Sequence, residues 1–242
     1  MLMRHNVPYE IQTLKNPNPV ARFAHQARYR TSLRLAEHYS PIGGTVIDFG
    51  AGQGEFLHQL GKSRSDLQMF AFEPFMHIDY PEIEAIPSMD YLGIKTIDLL
   101  CAFETLEHLA PDYVDQFISQ AHRICKPNAT IIISVPIMQG IGLPIKEASR
   151  AILFHCLSDY SFAELIRGTC GLRVNRATNI IASHKGFDHR TLYPRLSAEF
   201  QTVDRFFGPF RALPWWCNAQ AFFVFTLRAD STNIPTPIRT GQ

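Results

Sequence analysis

An apolar run followed by three spaced glycines constrains the fold more than any other part of the chain. The run Thr45–Phe49 is rich in β-branched residues and predicts a short buried strand. Gly50, Gly52 and Gly54 follow it, so the backbone can turn tightly and approach a ligand without Cβ collisions. A helical segment comes directly afterwards. A strand, a glycine loop and a helix in this order are typical of an open sheet with parallel strands.

The same alternation of apolar runs and helical patterns continues along the chain. Short continuous apolar runs predict buried strands, and residues at helical spacing predict the helices that cover them. Ser161 begins a Ser-x-x-Glu pattern, which marks a helix start as a capping box. Together these elements predict an α/β fold with an open parallel sheet covered on both faces. The predicted strands are 45–49, 69–72, 84–86, 96–102, 130–135, 172–182 and 221–227, and the predicted helices are 20–39, 55–60 with Gly61 as its stop, 112–125 and 161–167.

Composition excludes several classes of protein. The 242 residues suit one domain, and 46% hydrophobic and 19% charged residues are ordinary for a globular chain. No stretch reaches the ~20 apolar residues that a membrane span needs, and residues 1–12 lack the apolar core of a secretory signal. The five cysteines do not have zinc-type spacing. We therefore expect a cytoplasmic protein with free thiols.

The net charge of +1 conceals three blocks of opposite sign. Residues 1–40 contain six Lys or Arg and two acids, residues 41–140 contain five and thirteen, and residues 141–242 contain twelve and seven. The net charges of the blocks are therefore +4, −8 and +5. This pattern excludes a uniformly basic nucleic-acid binder, and no nucleic-acid partner is expected. The acidic middle and the basic flanks are expected to serve different functions.

The glycine loop favours a cofactor that contains adenosine and carries no phosphates. A dinucleotide site has the pattern Gly-x-Gly-x-x-Gly, and Glu55 stands where its third glycine would fall. A carboxylate that faces a pyrophosphate is repulsive. Asp48 precedes the glycines, and Glu73 ends the next strand, where an acid can bind both ribose hydroxyls. The alternative is a structural turn with an incidental surface glutamate.

Four motifs occur in order between residues 44 and 136. They are Val46–Gly54 (VIDFGAGQG), Phe72–Pro74 (FEP), Asp98–Leu109 (DLLCAFETLEHL) and Arg123–Pro136 (RICKPNATIIISVP). This order resembles class I S-adenosylmethionine-dependent methyltransferases, in particular the O-methyltransferases of the ubiquinone-biosynthesis type. Asn128 and Ala129 replace the family's usual glycine pair, which affects only a turn. The resemblance implies a Rossmann-like, mostly parallel sheet of seven strands with helices on both faces and an antiparallel last strand.

The resemblance also implies which residues bind the cofactor, S-adenosylmethionine. The glycine loop would line its methionine and ribose portions, Asp48 would position the loop or contact the amino group, and Glu73 would hold the ribose. Asp90 stands where the family contacts the adenine amino group, and Phe103 and Glu104 would face the cofactor. The implied cofactor-binding residues are Asp48, Gly50, Gly52, Gly54, Glu73, Asp90, Phe103 and Glu104.

Methyl transfer to a hydroxyl requires that the acceptor lose a proton, and His108 is the first candidate for the base. In the alternative interpretation, the Glu107-His108 pair only orients the loop that follows. His155 is the second candidate and is grouped with the acceptor-binding residues, although a structural or solvent-facing role is favoured for it. Asp98 and Glu104 are expected at opposite ends of one strand, so no metal site is predicted.

Acceptor recognition is expected outside the shared core. We divide the chain into a basic cap segment at 1–40, a methyltransferase domain at 41–229 and a disordered tail at 230–242. Within the domain, residues 184–216 are expected to form an insertion between the last two strands that acts as a substrate lid.

The predicted lid interleaves arginines with aromatic residues, and we place Arg190 and Arg195 at the acceptor. Arginine forks suit phosphate or carboxylate groups, and aromatic rings suit sugar faces. The predicted acceptor is thus an anionic small molecule, such as a phosphorylated or nucleotide-linked sugar. Alternatively, these arginines are solvated and the aromatics form the core of the lid. The predicted activity is methyl transfer to a small-molecule hydroxyl; the alternatives are a nitrogen or carbon acceptor, or an adenosine-binding scaffold without catalysis.

Overall fold

A computed structural model describes residues 19–154, 158–180 and 183–227. One sheet contains seven strands, which are β1 (Thr45–Phe49), β2 (Gln68–Phe72), β3 (Glu84–Ile86), β4 (Ile97–Phe103), β5 (Cys125–Pro136), β6 (Gln201–Gly208) and β7 (Gln220–Thr226). Their order in space is β3-β2-β1-β4-β5-β7-β6. Strands β1 to β5 are parallel, and β7 is antiparallel to both β5 and β6. The predicted fold class is confirmed.

The helices cover both faces of this sheet. They are α1 (Pro19–Tyr39), α2 (Glu55–Ser63), α3 (Pro111–Ile124), α4 (Gly142–Phe154), α5 (Phe162–Thr169) and α6 (His189–Glu199). Helices α1 and α2 pack on one face, and α3 and α6 pack on the other. At the start of α5, Ser161 and Glu164 form the predicted capping box. None of the described helices is both long and apolar enough to cross a membrane.

Successive residues of the central strands point into the two halves of the core. Ile131 and Ile133 of β5 pack with α3, whereas Ile132 between them packs with α1 and α2. All three side chains are fully buried. Because both faces of these strands are covered, their sequences are continuous apolar runs and do not alternate between apolar and polar residues. This explains why the central strands are evident in the sequence.

Strand register brings three loops to one edge of the sheet. Phe49 at the end of β1 lies opposite Phe72 at the end of β2, and Asp48 lies opposite Cys101 of β4. Because these strands are parallel, their carboxyl ends meet at the same edge, where open α/β sheets bind ligands. The loops after β1, β2 and β4 therefore build a common site.

The predicted stop at Gly61 is wrong. Helix α2 continues through Gly61 to Ser63. A Cβ at this position would lie 2.9 Å from the Met69 methyl group. The glycine thus allows the helix to pack closely on β2 and does not end it.

The predicted strand at 172–182 is also wrong. Its described part, residues 172–180, has no regular structure, and Leu172 is half exposed. The sixth strand is instead β6, and both β6 and α6 lie within 184–216, the segment predicted to be an insertion between the last two strands. Strand β6 is at the sheet edge and is polar at many positions, so it lacks the apolar run of a buried strand.

Several predictions concern residues outside the described part of the chain. The tail at 230–242, residues 1–18 of the cap segment and His155 all lie there. Cys101, Cys125, Cys170 and Cys217 are free thiols, as expected, whereas Cys156 lies outside the described residues.

Candidate functional site

The glycine loop turns at the carboxyl end of β1 in left-handed backbone conformations. The φ angles are +82° at Gly50, +56° at Gly52 and +91° at Gly54, a region in which residues with a Cβ are strained. The Gly50 N–H donates to the Phe72 carbonyl at 2.8 Å, which fastens the loop to the end of β2. A Cβ at Gly52 would meet only the Met76 methyl group, at 3.6 Å. The loop therefore leaves room beside Gly52.

Glu73 faces this loop from the end of the neighbouring strand. Its Oε2 accepts a hydrogen bond from the Gly52 N–H at 3.0 Å, and its Oε1 accepts one from the Phe75 N–H at 2.9 Å. Each carboxylate oxygen has a further lone pair, and the residue is only partly buried. Glu73 can thus accept hydrogen bonds from ligand hydroxyls while it holds the loop.

Asp48 lies behind the loop and is 3% exposed. Its Oδ1 has no hydrogen-bond partner among the described residues. Burial, and secondarily the Glu73 carboxylate, raises the pKa of Asp48 to about 8. An acid in such a place suits a ligand that brings positive charge or hydrogen-bond donors. The loop, Glu73 and Asp48 thus fit the amino-acid and ribose portions of a cationic nucleoside cofactor.

The end of β4 completes this edge with Phe103 and Glu104. The Phe103 ring packs edge-to-face on Phe56 of α2, with 4.7 Å between ring centroids. Glu104 adopts a φ of +55°, and its N–H donates to the Ser134 carbonyl at 2.9 Å. Left-handed conformations are uncommon outside glycine, and they cluster at functional sites.

The Glu104 carboxylate is held by residues from two distant elements. Arg28 of α1 places its Nη1 2.8 Å from Glu104 Oε2. From β7, the Gln220 side-chain amide donates to Glu104 Oε1. Helix α1 and the last strand thus both reach the edge at which the glycine loop lies.

Glu107, His108 and His184 form a compact cluster just beyond this edge. The Nε2 atoms of the two histidines are 2.9 Å apart, and Glu107 Oε1 lies 3.9 Å from His108 Nε2 and 4.0 Å from His184 Nε2. Glu107 is fully buried, whereas the histidine side chains are about one third exposed. Burial and the Glu104 carboxylate raise the pKa of Glu107 well above its ordinary value.

His184 comes from a loop that several contacts hold in place. The Gln139 side-chain amide donates to the Phe187 carbonyl at 2.6 Å. The Arg176 guanidinium donates to the Glu107 carbonyl and lies 5.4 Å from the centre of the Phe187 ring. At Gly186, where φ is +72°, a Cβ would collide with backbone atoms of Asn175 and Arg176. This glycine lets the two segments approach closely.

Three other predicted site residues make contacts away from this cluster. The exposed Asp90 carboxylate lies 3.3 Å from Arg123 and accepts a hydrogen bond from Gln120, both on α3. Arg190 is bound by Asp188 through two nitrogens at 2.8 and 2.9 Å. Arg195 pairs with Asp115 and donates to the Pro111 carbonyl. Their predicted ligand contacts stay predictions.

The structure thus brings together Asp48, the three glycines, Glu73, Phe103, Glu104 and His108 at one edge. Sequence reasoning missed Arg28 and His184. Arg28 is one of several arginines on α1, and no local signal sets it apart. His184 lies 76 residues after His108 in an irregular segment, so only the fold reveals their proximity. Asp98 lies at the opposite end of β4, as expected, and pairs with Lys126 at 2.7 Å.

Comparisons with known proteins were made by sequence and by structure. A family model described as a methyltransferase domain matches residues 20–166. No curated protein matches the sequence. A structure of a Pyrococcus horikoshii protein aligns with a TM-score of 0.61 and 14% identity, and the alignment covers 91% of this chain and 96% of the other.

Two solved methyltransferases also share the fold. One is an S-adenosylmethionine-dependent methyltransferase from Archaeoglobus fulgidus, with a TM-score of 0.54, 15% identity and coverage of 86% of this chain and 100% of the other. The second is 1,6-didemethyltoxoflavin-N1-methyltransferase from Burkholderia thailandensis, solved with 1,6-didemethyltoxoflavin and S-adenosylhomocysteine. Its TM-score is 0.55 at 17% identity, with coverage of 86% and 81%. At these identities the likeness concerns the fold.

Proposed function

This chain belongs to the methyltransferase-domain family, and from that premise we propose that it transfers a methyl group from S-adenosylmethionine to a hydroxyl of a small molecule. The observation that carries the proposal is the acid-lined glycine loop. Asp48 and Glu73 flank a loop with room beside Gly52, and no phosphate-binding cation contacts the loop among the described residues. A cationic nucleoside without phosphates suits this environment better than a dinucleotide does.

In the proposed complex, the loop glycines lie against the methionine and ribose portions of the cofactor, and Glu73 accepts hydrogen bonds from the ribose hydroxyls. The Asp48 carboxyl lies behind the amino-acid portion, and the positive charge of the bound cofactor would favour its ionised form. Phe103 and Glu104 border the cofactor at the end of β4, and Asp90 lies on the adenine side, beyond β3. Support comes from the shared edge on which the ends of β1, β2 and β4 meet.

The cofactor supplies an electrophilic methyl group on a sulfonium, and the protein aligns the acceptor with it. The carbon–sulfur bond breaks as the carbon–oxygen bond forms, and the bonding electron pair returns to sulfur. The acceptor's proton is removed at the pair formed by His108 and His184, whose Nε2 atoms are 2.9 Å apart. Both histidines are partly exposed, so an acceptor can reach them.

We further propose that the acceptor is anionic. Arg28 and Lys146 lie close enough to the buried Glu107 to affect its pKa, and Arg176 contacts its carbonyl. These three cations thus lie near Glu107, the buried neighbour of the histidine pair. Residues 184–216 contribute His184 to this region, which supports the proposal that part of the segment covers the acceptor. Arg190 pairs with Asp188, and Arg195 pairs with Asp115. The positive charges of these two arginines are therefore partly compensated within the protein.

Calorimetric titration with S-adenosylmethionine tests the cofactor assignment. The wild-type protein should bind it, and Glu73→Ala should weaken binding at least about tenfold, because the ribose loses a charged hydrogen-bond acceptor. Glu199→Ala removes an exposed acid at the end of α6 and serves as the matched control. Absence of binding to the wild type refutes the proposed function.

An acceptor screen tests the reaction itself. Anionic and neutral hydroxyl compounds are incubated with the cofactor, and S-adenosylhomocysteine is measured as the common product. His108→Ala should lose turnover and keep cofactor affinity. If neutral compounds are methylated as well as anionic ones, the anionic-acceptor proposal is wrong. An unchanged rate in His108→Ala removes the role in proton transfer.

A further inference from the structure

We propose that Glu107, His108 and His184 bind a divalent transition-metal ion beside the methyl-transfer site. The existence of this metal site does not depend on the proposed function, but what the ion does there rests on it. The inference replaces the expectation, drawn from sequence, that the protein has no metal site. It depends on three observations, which concern donor geometry, an unpartnered buried carboxylate and the packing that holds the donors together.

The three donor atoms are spaced as ligands of one ion. The two histidine Nε2 atoms are 2.9 Å apart, and each lies 3.9–4.0 Å from Glu107 Oε1. With bonds of about 2.0–2.1 Å, two ligands of one ion are separated by about 2.9 Å at a right angle and by about 4.1 Å when opposite. The observed distances fall within this range. A single ion can therefore contact all three donors with small side-chain adjustments.

The Glu107 carboxylate is the strongest sign that a ligand is required. The side chain is completely buried, and neither of its oxygens has a hydrogen-bond partner among the described residues. Arg176 contacts the backbone carbonyl of Glu107 rather than its carboxylate. A buried carboxyl group without hydrogen-bond partners is costly, and a bound cation within this cluster would stabilise its ionised form directly.

The backbone segments that carry the three donor side chains are fixed by other contacts, without any bound ion. Glu107 and His108 share the single 3₁₀ turn Leu106–His108 after β4. His184 lies in a loop fixed by the Gln139 bond to the Phe187 carbonyl at 2.6 Å. Such preorganisation is what a binding site requires of its supporting residues.

The ligand set indicates the class of metal. Two imidazoles and one carboxylate suit Zn²⁺ or a similar first-row ion such as Mn²⁺ or Fe²⁺, whereas Ca²⁺ and Mg²⁺ prefer oxygen ligands. Three protein ligands leave a coordination position open, as in catalytic sites.

The site is near the place where methyl transfer is proposed. Thr105, two residues before Glu107, packs so closely on Gly50 of the glycine loop that a Cβ there would collide with its side chain. An ion at the cluster would bind the acceptor oxygen at its open position and lower the pKa of the hydroxyl. The hydroxyl proton then leaves to water, the oxygen takes the methyl group, and sulfur keeps the electron pair. With an ion bound, His108 and His184 are ligands, so activation of the hydroxyl by the metal replaces the direct proton removal that we propose for the metal-free pair.

Metal titration tests the proposal without any acceptor. Full-length protein is stripped with a chelator, dialysed and titrated with Zn²⁺ by calorimetry, and the metal retained is counted by mass spectrometry. One Zn²⁺ per chain is expected. His184→Ala and Glu107→Gln should each weaken Zn²⁺ binding by about tenfold or more. His122→Ala is the matched control, because His122 lies 3.7 Å from Glu199 in an exposed His–Glu pair, and it should bind like the wild type.

A variant could also lose Zn²⁺ because it does not fold. Thermal unfolding shows whether each variant is folded and whether Zn²⁺ stabilises it. Zn²⁺ should raise the Tm of the wild type and of His122→Ala, because it binds the folded state. At the same Zn²⁺ concentration it should raise the Tm of folded His184→Ala less. The metal-free Glu107→Gln variant should be at least as stable as the metal-free wild type, because it removes the uncompensated carboxylate. The proposal is overturned if the wild type retains no Zn²⁺, or if both ligand variants bind it like the wild type.

The same proteins separate this proposal from the proposed function. Stripped wild-type protein and His184→Ala should still bind S-adenosylmethionine, because neither change touches the glycine loop. Cofactor binding without Zn²⁺ binding overturns the metal site and leaves the methyltransferase proposal standing. Zn²⁺ binding without cofactor binding supports the metal site and overturns the methyltransferase proposal.

Discussion

Folding buries the Asp48 carboxyl and changes its pKa. Its pKa rises from 3.8 to about 8 on folding because burial disfavours the charged form. Between these two values the folded state holds a proton that the unfolded state has lost. Stability contributed by this group is therefore greatest at low pH and falls as the pH rises through this range.

Asp48→Asn should remove that dependence. The amide cannot ionise, so the variant should be more stable than the wild type at about pH 8, on the order of a few kcal/mol, and the difference should shrink at about pH 5. Urea unfolding at both pH values measures the effect. Asp112→Asn, an exposed position on α3, should behave like the wild type at both. Equal stability of Asp48→Asn and wild type at the higher pH would contradict the assignment.

Helix α1 is joined to the sheet edge by one largely buried ion pair. The side chains of Arg28 and Glu104 are only 11% and 19% exposed, and their charged atoms are 2.8 Å apart. Breaking a buried pair by removing one partner leaves the other charge uncompensated. This contact therefore positions the helix relative to the site more firmly than the exposed arginines of α1 do.

Arg28→Ala should destabilise the protein by about 2 kcal/mol or more, because it leaves Glu104 buried without its cation. Denaturant unfolding measures this loss. Arg30→Ala changes an exposed arginine of the same helix and should alter stability by no more than about 0.5 kcal/mol. Equal effects of the two substitutions would show that α1 is not held through Glu104.

The loop that presents His184 depends on Gly186. Gly186→Ala forces a Cβ into a left-handed conformation and against the backbone at Asn175, so we expect a loss of about 2 kcal/mol. Gly142→Ala is the control, since a Cβ there meets nothing within 4 Å. The free energy of unfolding of both variants is compared with that of the wild type. A Gly186→Ala protein of wild-type stability would show that the two segments do not approach as closely as described.

Across the whole molecule, the two halves of the core are joined through one sheet, whose central strands are buried on both faces. We therefore expect the described domain to unfold in one cooperative transition. Far-UV circular dichroism reports on all elements, whereas fluorescence reports on Trp215 and Trp216. The two urea transitions should coincide. A fluorescence change at lower urea would mean that the region around the tryptophans opens separately.

The sequence predicts the centre of this molecule better than its periphery. The predicted bounds agree to within one residue for four strands, β1, β2, β3 and β4. These segments are apolar or flanked by glycine and proline. The edge strand β6 is missed because only part of it is buried. A strand is wrongly predicted at 172–180 because spaced apolar and β-branched residues also occur in loops. The glycine loop with Glu73 is a local pattern, whereas the Glu107–His184 contact depends on packing between remote segments.

The position of β7 also affects how the chain folds as it is synthesised. This strand is inserted between β5 and β6 although it is the last of the seven to be made. Until residues 220–226 leave the ribosome, one edge of β5 lacks its partner, and unpaired edges promote aggregation. The same strand carries Gln220, which binds Glu104. A nascent chain therefore acquires its complete sheet and its complete ligand-binding edge in the same late step.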